Sequence, residues 1–128
     1  MRILLDTNAY SDWRRDGRWN DPIAVAAEVL VPAVVLGELR YGFRGSARER
    51  ENEGKLQAFL REPVVRVVAV DEPTSHGYAL LKEHLRRHGH PLPENDIWIA
   101  ALAVQHLATL VTSDAHFQHL PQVARAVE

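Results

Sequence analysis

Cysteine is absent from all 128 residues, which excludes a disulfide framework and every chemistry that runs through a thiolate. A reducing, cytoplasmic setting is the default expectation for such a chain. Long apolar runs are missing as well. The run that opens Met1-Arg2-Ile3-Leu4-Leu5 meets Asp6 too early for the core of a signal peptide. No segment approaches the roughly 18 uncharged apolar residues of a membrane helix, so no membrane role is expected. A basic excess is lacking too: formal net charge is -2, so overall charge does not announce a nucleic-acid binder. Nucleic acid is not thereby excluded, because carboxylates loaded with divalent cations reverse the local sign of charge and can hold a phosphate.

What is present fits one compact domain spanning 1–128, since 46% hydrophobic content at this length supplies one core and leaves no chain for a second. About two-thirds of the unfolded surface is expected to be buried, without help from a structural metal. Short branched apolar runs alternate with helical patterns, which reads as α/β, a central parallel sheet of about four or five short strands flanked by helices. Strands are predicted at Ile3-Leu4-Leu5, Val29-Leu30-Val31, Val64 to Val70 and Thr109 to Thr112. Helices are predicted at roughly 8 to 16, 22 to 28, 33 to 42, 47 to 61, 73 to 88 and 95 to 107. Pro32 suits a first helical turn and Gly42 a helix end. Leu56, Phe59 and Leu60 form one apolar edge on a charged helix, whereas Ile97 to Val104 is apolar all round and belongs in the core or at a subunit contact.

Four acidic residues stand in telling positions. Asp6 follows the first strand directly and Asp114 closely follows the last. Each could simply cap the next helix. In an open parallel sheet, however, the carboxyl ends of the strands share one edge, and ligands bind in the crevice outside it. Glu38 falls among Val34, Val35 and Gly42 on a helical wheel, with Arg40 nearly opposite, so its carboxylate needs either a salt-bridge partner or a metal ion. Asp96 opens the all-apolar helix, where an anion also suits the helix dipole. Carboxylates without cysteine or paired histidine match hard cations such as Mg²⁺ or Mn²⁺ rather than zinc. A cation so held can activate water for attack on a phosphodiester.

The segments Leu5-Asp6-Thr7-Asn8, Val31 to Gly42 around Glu38, Pro93-Glu94-Asn95-Asp96-Ile97-Trp98-Ile99-Ala100-Ala101, and Val111-Thr112-Ser113-Asp114 resemble, in order, the motifs of PIN-domain nucleases, and more narrowly VapC-type toxins of prokaryotic type II toxin-antitoxin pairs. The resemblance runs from Asp6 to Phe117 and implies a PIN-like three-layer fold. It also implies a Mg²⁺- or Mn²⁺-dependent endoribonuclease, usually a homodimer, inhibited by a small VapB-like antitoxin. Asp6, Glu38 and Asp96 would then be metal ligands, with Asp114 a further ligand, direct or through water. Asn8 and Thr112 would orient carboxylate or water. One position departs from the pattern: many relatives carry another acidic residue two places after Asp114, where this chain has His116. That substitution bears on whether a second metal site forms.

Other signals stay open or are set aside. Arg14, Arg15 and Arg18, with Trp13 and Trp19 between them, read equally as a phosphate-and-base contact patch or as a charged helix face with aromatic anchors. His116 and His119 are close enough in sequence to Asp114 to touch RNA or adjust metal binding, although ordinary surface histidines are the simpler reading. His84, His88 and His90 lack the Glu that a metalloprotease helix requires, since Leu85 follows His84. Arg44, Arg48 and Arg50 alternate with Glu49, Glu51 and Glu53, the mixed signs of a solvated face. Two other functions compete with a ribonuclease. One is an α/β phosphatase or phosphotransferase with Asp6 as nucleophile, although Asp6-Thr7-Asn8 lacks the second aspartate usual in that chemistry. The other is a non-catalytic module that only binds RNA or antitoxin.

Overall fold

In a computed structural model, which describes residues 1–126, the chain forms four parallel strands and six α-helices. The last two residues of the expected 1–128 domain lie outside those described. The elements run β1 (Arg2–Leu5), α1 (Thr7–Asp16), α2 (Asn20–Val25), β2 (Glu28–Pro32), α3 (Ala33–Phe43), α4 (Glu49–Leu60), β3 (Val65–Val68), α5 (Glu72–His88), α6 (Glu94–Gln105) and β4 (Thr109–Val111). A short 3₁₀ helix follows at Ala115–His119. The sheet order is β3-β2-β1-β4, all parallel, with helices packed against it as a parallel sheet requires. Ile3, Leu4 and Leu5 are fully buried at its centre. An isolated parallel bridge from Leu110 to Arg125 lies beside β4, and among the described residues the sheet has four strands, within the four or five expected.

Several expected boundaries shift, each for a reason visible in the hydrogen bonds. The helix expected over 22 to 28 ends at Val25, because Ala27 N–H is drawn to the Met1 carbonyl at 2.9 Å and the chain enters β2. Gly42 does not end its helix. It lies in the last turn of α3, and the backbone reverses later, at Gly45 with φ +76°. Pro32 closes β2 and stands just before the first turn of α3. The strand expected over 64 to 70 contracts to Val65–Val68, and Thr112 leaves the ladder for a side-chain contact described below.

The apolar helix α6 is covered by its own chain. Ile97, Ile99 and Ala100 to Ala103 are buried, and α5 lies alongside, with Gly77 so placed that an added Cβ would stand 3.6 Å from the Ala101 Cβ. Of the two settings expected for this helix, core and subunit contact, the core is the one found. Consequently Leu102→Ala is expected to cost about 3 kcal/mol, because it removes a fully buried side chain and leaves a cavity. Leu80→Ala, at a position 70% exposed on α5, is expected to change stability by less than about 0.5 kcal/mol. Urea denaturation of both variants checks the pair, and equal losses would show that α5 rather than α6 faces the core.

Candidate active site

Chain direction changes sides at β1: the path leads first to β2 and β3 on one flank, then returns to β4 on the other. The crevice at the carboxyl ends of β1 and β4 is therefore the switch point at which α/β sheets accept ligands. Register does the rest. Leu5 pairs with Val111, so the next residues outward, Asp6 and Thr112, leave the sheet side by side, and the Thr112 hydroxyl donates to Asp6 Oδ2. Asp6 Oδ1 accepts the Ala9 N–H at 2.8 Å and caps α1. Helix capping and participation in the site are thus not alternatives for Asp6. It also stands 4% exposed, a buried carboxylate.

Asp114 sits on the neighbouring turn. Its N–H donates to Thr112 Oγ1 at 3.0 Å, while its own Oδ1 accepts from the His116 N–H at 2.8 Å and lies 3.0 Å from His116 Nδ1. Glu38 enters from α3, half-buried, with Oε1 accepting from the Thr7 hydroxyl at 2.7 Å. No cation pairs with it among the described residues; Arg40 turns away to Glu53 at 3.0 Å, on the opposite side as the wheel implied. Asp96 lies in the first turn of α6, half-buried. Its carboxylate takes no part in a cap or an ion pair among the described residues.

These four carboxylates line one cavity of about 450 Å³, together with Thr7, Asn8 and the 93–95 segment. No lysine, arginine or histidine lines it among the described residues. Burial pushes the Asp6 carboxyl up to about 6, held back by the hydrogen bonds from Thr112 and Ala9 and raised further by Asp96 and Asp114. Burial likewise raises Asp96 to about 6, with repulsion from Asp114 and Glu38 adding to it and His116 opposing. The donor set is hard oxygen throughout, which suits Mg²⁺ or Mn²⁺. As the side chains stand, no three of the described acidic or histidine residues converge closely enough to hold one ion alone.

Other candidates fall elsewhere. Asn8 lines the cavity, and Thr112 orients Asp6, but Arg14 and Arg15 do not line the cavity. Arg14 lies over the Trp13 ring at 4.1 Å, and Arg15 pairs with Asp12 at 2.8 Å. His116 sits beside Asp114 and is absent from the cavity wall. His84 stacks on His88, and His90 on His119. Four wall residues lie in the quoted motif segments but were assigned no role from the sequence: Thr7, Pro93, Glu94 and Asn95. Thr7 adjoins Asp6 and carries a hydroxyl, a signal that could have been used. Glu94 is held by Lys82 at 2.7 Å, which lowers its pKa and keeps this fifth carboxylate from adding unbalanced charge.

Residues 3–123 match the sequence profile of the PIN domain. The chain belongs to the PIN-domain family. Within that family it is 33% identical over 122 residues to ribonuclease VapC4 of Mycobacterium tuberculosis, covering 95% of this chain and 93% of the relative. Toxin FitB of Neisseria gonorrhoeae is 31% identical, with 88% and 87% covered. Among solved structures, VapBC2 from Rickettsia felis bound to a promoter DNA fragment superposes with a TM-score of 0.87 at 25% identity, covering 98% of both chains. The family match leaves the phosphatase reading of Asp6 without support. No helix among the described residues is long and apolar enough to cross a membrane.

The acidic wall of this PIN domain makes stability depend on pH in a defined direction. Asp6 and Asp96 are raised from 3.8 to about 6, so the folded state holds their protons more tightly than the unfolded chain does. Stability therefore falls as pH rises from about 4 through 6, and the full penalty stands above that. Asp96→Asn removes one charge without removing a hydrogen bond. In EDTA at pH 8 it is expected to stabilise the protein by about 1 kcal/mol, a rise of roughly 3–5 °C in Tm, after allowance for solvent screening at this half-exposed site. At pH 4 the two proteins should melt together. A variant less stable than wild type at pH 8 would instead mark Asp96 as a helix-stabilising residue.

Proposed function

We propose that this chain is a VapC-type toxin, a divalent-cation-dependent endoribonuclease that hydrolyses RNA phosphodiester bonds and is restrained by a small VapB-like antitoxin. The observation that carries the proposal is the cavity itself: four carboxylates at the switch point of the sheet, with no protein cation among them. Such a wall costs free energy in the bare protein and is useful only to something positive. Family membership and relatives named as VapC ribonucleases support the same reading.

Asp6, Glu38 and Asp96 would hold Mg²⁺, or Mn²⁺ in its place, with Asp114 a ligand directly or through water. When bound, such an ion supplies activation of a water for in-line attack and charge stabilisation at the phosphodiester. The chain supplies position. Thr112 and the Ala9 N–H fix both oxygens of Asp6, and Thr7 holds Glu38 toward the same space. Helix α6, locked in the core, fixes Asp96. Because every ionisable side chain on the wall is a carboxylate, RNA is repelled until the cavity's charge has been offset, which couples substrate entry to cation binding.

Partners follow from the same charge. Neighbours by structure include toxin-antitoxin complexes, among them VapBC2 of Rickettsia felis. An antitoxin that places a basic side chain in the acidic cavity would compete with the cation. The reading includes a homodimer, whose surface cannot be the buried face of α6. Light scattering tests it, and a monomer at all working concentrations would remove it.

Purified protein is expected to cut RNA with Mg²⁺ or Mn²⁺ and to stop in EDTA. Asp6→Asn, Glu38→Gln and Asp96→Asn should each lose most turnover, while Thr112→Val, which removes the hydroxyl that orients Asp6 and accepts the Asp114 N–H, should lose about 10- to 100-fold. Cleavage that survives chelation would overturn the metal dependence. RNA binding without cleavage under any cation would favour the non-catalytic module.

A further inference from the structure

Beyond the acidic cavity along α1 lies a second one of opposite character. It has a volume of about 320 Å³, and its wall includes Tyr10, Arg14, Arg15, Phe43, Arg48 and Lys55, four cations with no carboxylate among the lining residues. In a chain of net charge -2 this is a local concentration, not a reflection of composition. Arg14 is built in. Its guanidinium lies 4.1 Å from the centre of the Trp13 ring and 5.4 and 5.6 Å from those of Tyr10 and Phe59. Nε donates to the Tyr10 hydroxyl at 3.2 Å and Nη2 reaches the Lys55 carbonyl at 3.5 Å. No carboxylate pairs with Arg14 or Arg48 among the described residues. Lys55 pairs with exposed Glu51, and Arg15 with exposed Asp16 and half-buried Asp12.

We propose that this basic groove between α1 and α4 holds the RNA strand next to the bond being cut, with Arg14, Arg48 and Lys55 taking backbone phosphate oxygens. The inference rests on the ribonuclease reading and names the residues that track its substrate. Charge complementarity selects a polyanion. Position selects the one already entering the neighbouring cavity, because Asn8 and Arg14 belong to the same helix, six residues or about 9 Å apart along its axis. Aromatic rings and two hydrogen bonds hold the Arg14 fork in place before any ligand arrives, so little side-chain freedom is lost when it takes a phosphate. The surface pairs of Arg15 and Lys55 are weak enough to open for a phosphate. Mixed charge in the sequence around Arg48 concealed this role, since the fold turns Arg48 toward α1 while its acidic neighbours face elsewhere.

The test uses the double variant Arg48→Glu/Lys55→Glu, with Arg48→Ala as a second, milder change in case the first does not fold. Fluorescence anisotropy with a single-stranded RNA of about a dozen nucleotides, across a salt series, reads binding in the presence of Ca²⁺. For the double variant the expected result is affinity lower by about tenfold and a slope of log affinity against log salt shallower by about 1.4, two phosphates at roughly 0.7 each. Cleavage with Mn²⁺ should show KM raised by a similar factor with kcat unchanged, and no difference from wild type on an RNA too short to reach the groove. Unaltered affinity and slope would overturn the proposal. So would variants that bind RNA normally yet escape inhibition by a VapB-like antitoxin, which would make the groove a protein site. A wild type that cleaves no RNA counts against the ribonuclease reading alone, because the binding slopes still decide for or against the groove.

Discussion

Repulsion among Asp6, Glu38, Asp96 and Asp114 is the constraint to which the rest of the fold answers. Each could be relieved by a lysine or an arginine, and the chain has fifteen of these. None lines the cavity among the described residues. Arg40 goes to Glu53 and Arg15 to Asp12, Lys82 reaches Glu94 at the rim, and of the four at the switch point only Asp114 has a basic neighbour among the described residues, the His116 imidazole. Burial first, and then the neighbouring carboxylates, raise the pKa of Asp6 and Asp96. Folding tolerates it because the core beneath is continuous: β1 is wholly buried, α6 packs between sheet and α5, and these supply the apolar contacts that offset a strained rim.

The acidic centre was legible from the chain because two periodicities converge on it. Apolar runs placed Asp6 and Asp114 at strand ends, the helical wheel placed Glu38 on one face, and Asp96 opened the all-apolar helix. Parallel topology then required the strand ends to share an edge. Less legible were the hydroxyls. Thr112 reaches Asp6 only because β1 and β4 pair in the register Leu5 to Val111, and Thr7 meets Glu38 across 31 residues of chain. Neither distance is encoded locally. The capping explanation for Asp6 was correct and incomplete, since a carboxylate has two oxygens and the site uses both.

Helix boundaries blurred where tertiary pairing overrode local preference, as at Val25, where β2 captures the chain, and at Gly42, which a packed α3 carries through its last turn. The arginines of α1 lie away from the acidic cavity for a different reason. Proximity to Asp6 in sequence suggested proximity to the site, but α1 leads away from it, and Arg14 settles on Trp13 and Phe59 instead. That displacement turns one charged locus into two of opposite sign along a single helix, acidic where a cation would sit and basic where a polyanion would run.

The central claim is that the four carboxylates are gathered for a divalent cation. Titration of metal-free protein with Mn²⁺, followed by the loss of the free-ion paramagnetic resonance signal, tests it most directly. Wild type is expected to bind Mn²⁺ in the micromolar to millimolar range, and Asp6→Asn and Asp96→Asn to bind it at least about tenfold more weakly, since the loss of even an outer-shell partner costs about that much. Equal affinity in all three proteins, or no binding by wild type, would contradict the account.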